Sequence, residues 1–428
     1  MSGGPRATAG GRPDHRGAFS RRALLAGTGA VTTGVVAGSL LGGPAAEAAD
    51  ATRSEAVPFF GPHQAGIVTP QQASLVFAAY DMVTDDRSAL AALLATWTEA
   101  STRLVAGVPL GGGSSPLAPP PDTGEALGLG PSRLTLTVGF GPGLFDDRFG
   151  LRHLRPAALA ELPAFALDAL DPARSGGDLC VQACADDPQV AFHAVRNLTR
   201  LALGAATLRY YQVGFGMAPP GGTAPGGGAQ TPRNLLGFHD GTGNRSVLEP
   251  GGPERHVWVG PGTAPRWMEG GTYLVARRIR IFLEAWAGTS LGDQEATVGR
   301  QKVSGAPLGG VHQYDRLDLD ALGPGGVPTI PTSAHVRQAS ATLNGGAQIL
   351  RRSFNFADGL DPLTGELDAG LYFICFQRDP RQFVAIQRRL SAADALTGGY
   401  LLHTSSAVFA CPPGLAPGEH WGQPLGLD

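Results

Sequence analysis

An α+β fold is predicted, and three observations predict it. Runs with a period of two, the signature of strands, alternate along the chain with runs at helical spacing. The order through residues 73–215 is β-α-β-(α)-β-α-β, which suits an antiparallel sheet with helices on one face, as in ferredoxin-like folds. The same coarse order returns in residues 272–391. We therefore expect two ferredoxin-like halves, residues 58–230 and 231–428, packed as one unit.

The elements follow in order. Residues 73–80 read as the first strand. Residues 86–104 place Leu90, Leu93, Leu94 and Trp97 on one helical face. A Gly/Pro/Ser loop covers 107–131. Residues 134–140 alternate as a strand, 156–168 are expected to form a short helix, and 178–184 another strand. Residues 188–204 open with Asp187-Pro188, and proline fits the first turn of a helix. A strand at 208–215 and a Pro/Gly loop at 217–233 close the first half. In the second half, 272–282 is a long alternating strand, 283–300 mostly helical, 371–376 an apolar strand and 380–391 an amphipathic helix.

The first 48 residues stand apart from this pattern. A polar, Arg-rich opening leads to Arg21-Arg22, an apolar run to Leu41, and Ala46-Glu47-Ala48. That order is a secretory signal, and the paired arginines point to the twin-arginine route. Gly27, Gly29, Gly34 and Gly38 interrupt the apolar run, so cleavage near Ala48–Ala49 is expected and no stable membrane span remains. Residues 49–57 then form a leader. The protein is expected to be exported, to a periplasmic or extracellular/cell-envelope location. Residues 1–48 carry five Arg against Asp14 and Glu47, a net +3, so the rest of the chain has −6 where the whole has −3. A mildly acidic chain has no electrostatic footprint for nucleic acid. Cys180, Cys184, Cys375 and Cys411 lack the second close pair that zinc requires and read as buried small apolar residues, with a disulfide left open.

The chemistry gathers at Gly237-Phe238-His239-Asp240-Gly241-Thr242-Gly243-Asn244. Glycines let a backbone approach a ligand closely, and an acid between them can meet a small buried reactant. His335 stands without a second His, Cys or acid nearby, a poor zinc set but all that a haem iron needs on one face. Arg351, sixteen residues on, is a permanent cation beside an apolar run. Taken singly these have ordinary readings: an Asp-Gly turn, a core histidine, an ion-pair arginine. Taken together they are what peroxide activation requires. An acid/base moves the proton between the peroxide oxygens, and a fixed cation stabilises the developing negative charge.

At these residues the chain resembles the dye-decolourising peroxidases, in particular their exported, twin-arginine-dependent members related to the deferrochelatase/peroxidase of bacterial iron uptake. The motifs that carry the resemblance are Gly-Phe-x-Asp-Gly at 237–241, His-x-Arg at 335–337, Leu-Arg-Arg at 350–352 and Phe-Gln-Arg-Asp-Pro at 376–380. His-Gln-Ala-Gly-Ile at 63–67 and Gly-Arg-x-Lys-x-Ser-Gly-Ala-Pro-Leu at 299–308 join them. The resemblance implies a dimeric α+β barrel made of the two halves, with haem b in the C-terminal half. It implies Asp240 as the distal acid, Arg351 as the distal arginine and His335 as the axial iron ligand. Gly241, Thr242 and Gly243 would touch the haem. Close relatives often continue His-x-Arg with Ala-Asn-Pro-Arg, whereas this chain has Gln338-Ala339-Ser340-Ala341-Thr342. Arg337 and Arg300 are then the candidates for the propionates.

The implied function is a haem peroxidase that reduces hydrogen peroxide and oxidises a bulky aromatic reductant, phenolic or dye-like. A carboxylate relay predicts an acidic pH optimum, since an ordinary aspartate stays ionised well below neutrality. Two alternatives are kept: a deferrochelatase that releases iron from haem, and a binding module of the same fold that has lost it. A homo-oligomer is left open. His239 is expected to face outward.

Overall fold

The computed structural model describes residues 55–112, 115–218 and 230–427. The expected signal at 1–48, most of the leader and the centre of the 217–233 loop lie outside the described residues.

Four strands, β1 (Ser74–Met82), β2 (Thr135–Phe140), β3 (Leu179–Ala185) and β4 (Ala206–Phe215), pair antiparallel in the order β4-β1-β3-β2. Helices α1 (Arg87–Val105) and α2 (Pro188–Leu201) cross between them. Asp86 and Asp187 cap these helices by accepting from the backbone N–H two residues on. The C-terminal half repeats the arrangement. Strands β5 (Thr272–Ile281), β6 (Leu350–Arg351), β7 (Phe354–Leu360), β8 (Leu367–Gln377), β9 (Leu401–His403) and β10 (Ala407–Cys411) build it. There β6 and β7 follow one edge of β8, β5 pairs with the other edge, and β9 and β10 follow the far edge of β5.

The two sheets meet at both edges, through Phe215 opposite Asn355 and Phe140 opposite Ala410. The ring therefore closes into a barrel, which leaves its interior sealed by side chains. Alternation assigns the faces. Leu75, Phe77, Leu274, Tyr372, Phe354 and Phe409 belong to one buried cluster inside. On the outer face of the N-terminal sheet, Val76, Ala78 and Tyr80 pack with Leu90, Leu94 and Trp97 of α1 and Leu198 of α2.

The run 61–72 straps both seams. The Gln64 amide donates to the Val138 carbonyl at 3.0 Å and to the Pro412 carbonyl at 2.9 Å, and accepts from Val138 N–H at 2.9 Å. Gln71 donates to the Ser353 carbonyl at 2.6 Å, and Gln72 accepts from Arg352. One short run thus binds residues of both halves, Val138 and Pro412 at one junction and Arg352 and Ser353 beside the other.

The expected strands at 73–80, 134–140, 178–184, 208–215, 272–282 and 371–376 form within a few residues. The expected helix at 156–168 does not. Pro163 interrupts it, Leu167 takes φ +70°, and the helical turns nearby are three-residue 3-10 turns at Arg152–Leu154 and Pro172–Arg174. The helix expected to reach 204 ends at Leu201. Residues 283–300 split into α5 (Leu283–Ala287) and α6 (Leu291–Val298), after α3 (Asn244–Leu248) and α4 (Gly252–His256). The four cysteines are free and buried, and burial pushes each thiol above its ordinary range. Among the described residues no helix is long and apolar enough to cross a membrane.

Candidate active site

The outward residues of the C-terminal sheet wall a cavity of about 920 Å³. Ile279 and Ile281 of β5 and Leu371 and Phe373 of β8 contribute, one residue out of phase with the barrel interior. Phe383, Ile386 and Leu390 of α8 (Pro380–Ala393) add further apolar lining. Asp240, Gly241, Thr242, Gly243, His335 and Arg351 all line this one cavity.

Asp240 sits in a loop shaped by Gly237 at φ +83° and Gly241 at φ +86°, values that a side chain would strain. It is only 6 % exposed. Its N–H bonds the Pro232 carbonyl at 2.9 Å, and its Oδ2 accepts from the Asn234 amide at 3.1 Å. Its Oδ1 is ion-paired with the Arg351 guanidinium. A buried carboxylate facing a fixed cation is thus assembled from residues 111 apart in sequence.

The glycines beside the acid border open space. A Cβ placed on Gly243 would meet nothing within 4 Å, and one on Gly241 would have the Asn244 amide nitrogen as its nearest neighbour at 3.8 Å. Thr242 Oγ1 accepts from Gln313 at 3.1 Å. Arg300 also lines the cavity and donates to the carbonyls of Gly305 at 2.7 Å and Gln313 at 2.9 Å. Burial, then the nearby Arg351 charge, push its pKa down to about 10.

His335 opens the short helix α7 (His335–Gln338). Its Nδ1 lies 2.8 Å from Asp394 Oδ2. The Asp394 side chain is fully buried and caps α9 (Ala395–Tyr400), accepting from Leu396 N–H, Thr397 N–H and, at 2.6 Å, the Thr397 hydroxyl. Burial alone would raise its pKa, but the His335 ring and these donors hold it below the ordinary range. A carboxylate at Nδ1 fixes that nitrogen as the protonated one. Nε2 is then the unprotonated nitrogen, and it has no hydrogen-bond partner among the described residues.

Two expectations change. Arg337 does not line the cavity, and its guanidinium is spent on the carbonyls of Leu319 at 2.7 Å and Ile330 at 3.3 Å. His239 does not face outward. It is half-buried, with Nδ1 at 2.9 Å from the Thr231 carbonyl and Nε2 at 2.9 Å from Arg233, and burial lowers its pKa.

Several lining or supporting residues escape sequence reasoning. Asp394 signals only a helix start, through Asp-x-x-Thr. Arg277 and His403 line the cavity from β5 and β9, and burial beside Arg277 pushes His403 down to about 3, so it is neutral. Nothing in their sequence context marks them.

The lining fits a haem. Apolar walls, glycines bordering open space and one unprotonated imidazole nitrogen are what a flat macrocycle with one axial ligand needs. Among the described residues no group of three His, Cys, Asp or Glu could hold a free metal ion instead.

Residues 64–216 match the family model described as Dyp-type peroxidase, N-terminal, and residues 231–416 match Dyp-type peroxidase, C-terminal. The chain belongs to the Dyp-type peroxidase family. A curated relative named Deferrochelatase, from Yersinia pseudotuberculosis, is 36 % identical over 422 residues, covering 94 % of this chain and 93 % of its own. The Deferrochelatase of Escherichia coli O157:H7 is 35 % identical over 389 residues, covering 87 % and 89 %. The solved structure of an oxyferrous/water mixed complex of DtpA from Streptomyces lividans superposes with a TM-score of 0.80 at 42 % identity, over 88 % of this chain and 99 % of that one. A DyP-type peroxidase from Cellulomonas bogoriensis gives 0.78 at 42 % identity, over the same shares. Dyp-type peroxidases are haem peroxidases, so this one is an oxidoreductase that takes hydrogen peroxide and a reducing substrate. The antiparallel α+β architecture is that of the family.

Proposed function

We propose that this Dyp-type peroxidase uses haem b to reduce hydrogen peroxide at the expense of a bulky phenolic or dye-like donor. The observation that carries this is the Asp240–Arg351 ion pair opening on the same cavity as His335, whose other ring nitrogen is held by Asp394. Haem, when bound, supplies the redox centre at which the peroxide bond is cleaved. Asp240 takes a proton from the peroxide and returns it to the departing oxygen. Arg351 stabilises the negative charge that grows there. His335 would hold the iron through Nε2, with Asp394 keeping the ring oriented and electron-rich. The glycines at 241 and 243 leave room for the macrocycle. Export by the twin-arginine route, which carries folded proteins, belongs to the same reading and rests on Arg21-Arg22 and the apolar run after them.

The test is stopped-flow mixing of reconstituted protein with hydrogen peroxide. Wild type should show a Soret band that changes within milliseconds, and Asp240→Asn should slow that change at least about 100-fold. An unaltered rate in Asp240→Asn would sink the assignment. A second reading, release of iron from haem, is favoured by the curated relatives named Deferrochelatase. It predicts iron-free porphyrin after incubation of the holoprotein with a reductant and no peroxide. Its absence, together with peroxide-dependent dye bleaching, separates the two.

A further inference from the structure

We propose that Asn244 is a positioning residue that sets Arg351 against Asp240 by acting as a one-residue strand. This rests on the peroxidase reading of the site. Strand β6 is two residues long and pairs with β8 on one side only, Leu350 opposite Phe376 and Arg351 opposite Cys375. Arg352 N–H donates toward β8, to the Ile374 carbonyl at 2.8 Å. Backbone groups alternate along a strand, so the Arg351 N–H and C=O point the other way, to an edge with no neighbouring strand. The Asn244 side chain fills that edge. Its Oδ1 accepts from Arg351 N–H at 2.9 Å, and its amide nitrogen donates to the Arg351 carbonyl at 2.6 Å. A single primary amide thus makes the pair of bonds that a neighbouring strand would make, to a residue 107 positions away.

The geometry singles out Arg351 and not the helix as the object of this contact. Helix α3 already has a separate tie to the strand segment, Ser246 Oγ to Gln348 Oε1 at 2.7 Å, so Asn244 is not needed merely to attach it. The Arg351 side chain, by contrast, has Asp240 as its only hydrogen-bond partner among the described residues. Arg300 lies close enough to repel it. A guanidinium with one bond and a like charge nearby is placed by its backbone, and Asn244 fixes that backbone. The Asn244 N–H also bonds the Gly241 carbonyl at 2.9 Å, which ties the acid loop to the same residue. Acid and cation therefore share one mechanical reference point, and small displacements of such a pair cost rate steeply.

The experiment is a double-mutant cycle on the reconstituted holoprotein, with Asn244→Ala, Arg351→Gln and the two combined. The second-order rate constant with hydrogen peroxide and the rate of reduction by a dye donor are measured separately. Asn244→Ala should lower the peroxide constant about 10- to 100-fold and leave the donor step within about twofold. Added to Arg351→Gln it should cost nothing further, because the group it positions is gone. An equal loss in both backgrounds, or equal slowing of both half-reactions, overturns the proposal. If Asn244→Ala does not fold, Asn244→Asp keeps the acceptor and sets an oxygen against the Arg351 carbonyl. It should lose at least as much in the peroxide step, and wild-type behaviour in it overturns the proposal. Should Arg351→Gln itself leave the peroxide constant unchanged, the peroxidase reading falls as well; if it slows the step and Asn244→Ala does not, only the positioning role falls.

Discussion

Replacing Asp394 by Asn tests the support of the axial histidine. The shape is kept and the charge is removed. Asp394 accepts four hydrogen bonds: from His335 Nδ1, Leu396 N–H, Thr397 N–H and the Thr397 hydroxyl. Three of these converge on Oδ2, so an asparagine keeps its oxygen there and turns its NH₂ toward Leu396 N–H. One backbone bond of about 1 kcal/mol is lost, and a donor is left facing a donor. The bond to the imidazole, charge-assisted and worth about 1.5–3 kcal/mol in the wild type, drops to a neutral one of about half that strength. The cofactor-free variant should therefore lose about 2–3 kcal/mol in equilibrium urea unfolding. The reconstituted variant should show a higher haem reduction potential, because a neutral partner leaves the imidazole a poorer electron donor. Coincident unfolding curves together with an unmoved potential would refute the reasoning and detach Asp394 from His335.

Other consequences are as concrete. Gly243→Val adds bulk only to open space, so the cofactor-free protein should keep its stability within about 1 kcal/mol while haem titration shows affinity reduced at least about tenfold. His403 is neutral in the fold down to about pH 3, whereas in the unfolded chain it takes up a proton near pH 6.5. Its contribution is complete above pH 6.5 and drains away as the pH falls toward 3, by roughly 5 kcal/mol at most. His403→Gln should flatten that limb in pH-dependent urea unfolding. Arg337→Gln should leave the Soret band and haem titration unchanged and lower stability by about 1–2 kcal/mol, as two carbonyls lose a charged donor.

Strand positions were legible because burial of both faces leaves long β-branched and aromatic runs. Residues 272–281 read as a strand from pattern alone, and every residue of β5 is buried. The short strands were not legible. Two residues at Leu350–Arg351 and three at Leu401–His403 are too few to show a period, and they are strands only because β8 and β5 present edges to them. Asp240, His335 and Arg351 could be picked out by type, since an acid among glycines, a lone histidine and a cation by an apolar run each carry a chemical meaning. Their supports could not. Asn234, Asn244 and Asp394 are ordinary turn and cap residues in sequence, and their partners are chosen by the fold. Arg337 stands in a recognisable motif, yet the chain around 319–330 passes close enough to occupy it. No helix forms at 156–168 because Pro163 lies in its middle, a signal already present in the sequence.

The strap at 61–72 bears on how the molecule is made. It leaves the ribosome early, yet Gln64 bonds the carbonyl of Pro412, 348 residues later, and Gln71 that of Ser353, 282 later. Contacts of such sequence separation form slowly and last. The N-terminal sheet can assemble during synthesis, but its seams must wait for residues 353 and 412. Barrel closure is thus a late event, and until it happens both sheets carry unpaired edges able to capture strands from other molecules. A segment that waits for residues 353 and 412 works as a proofreading latch: it can engage only in a chain that extends past both.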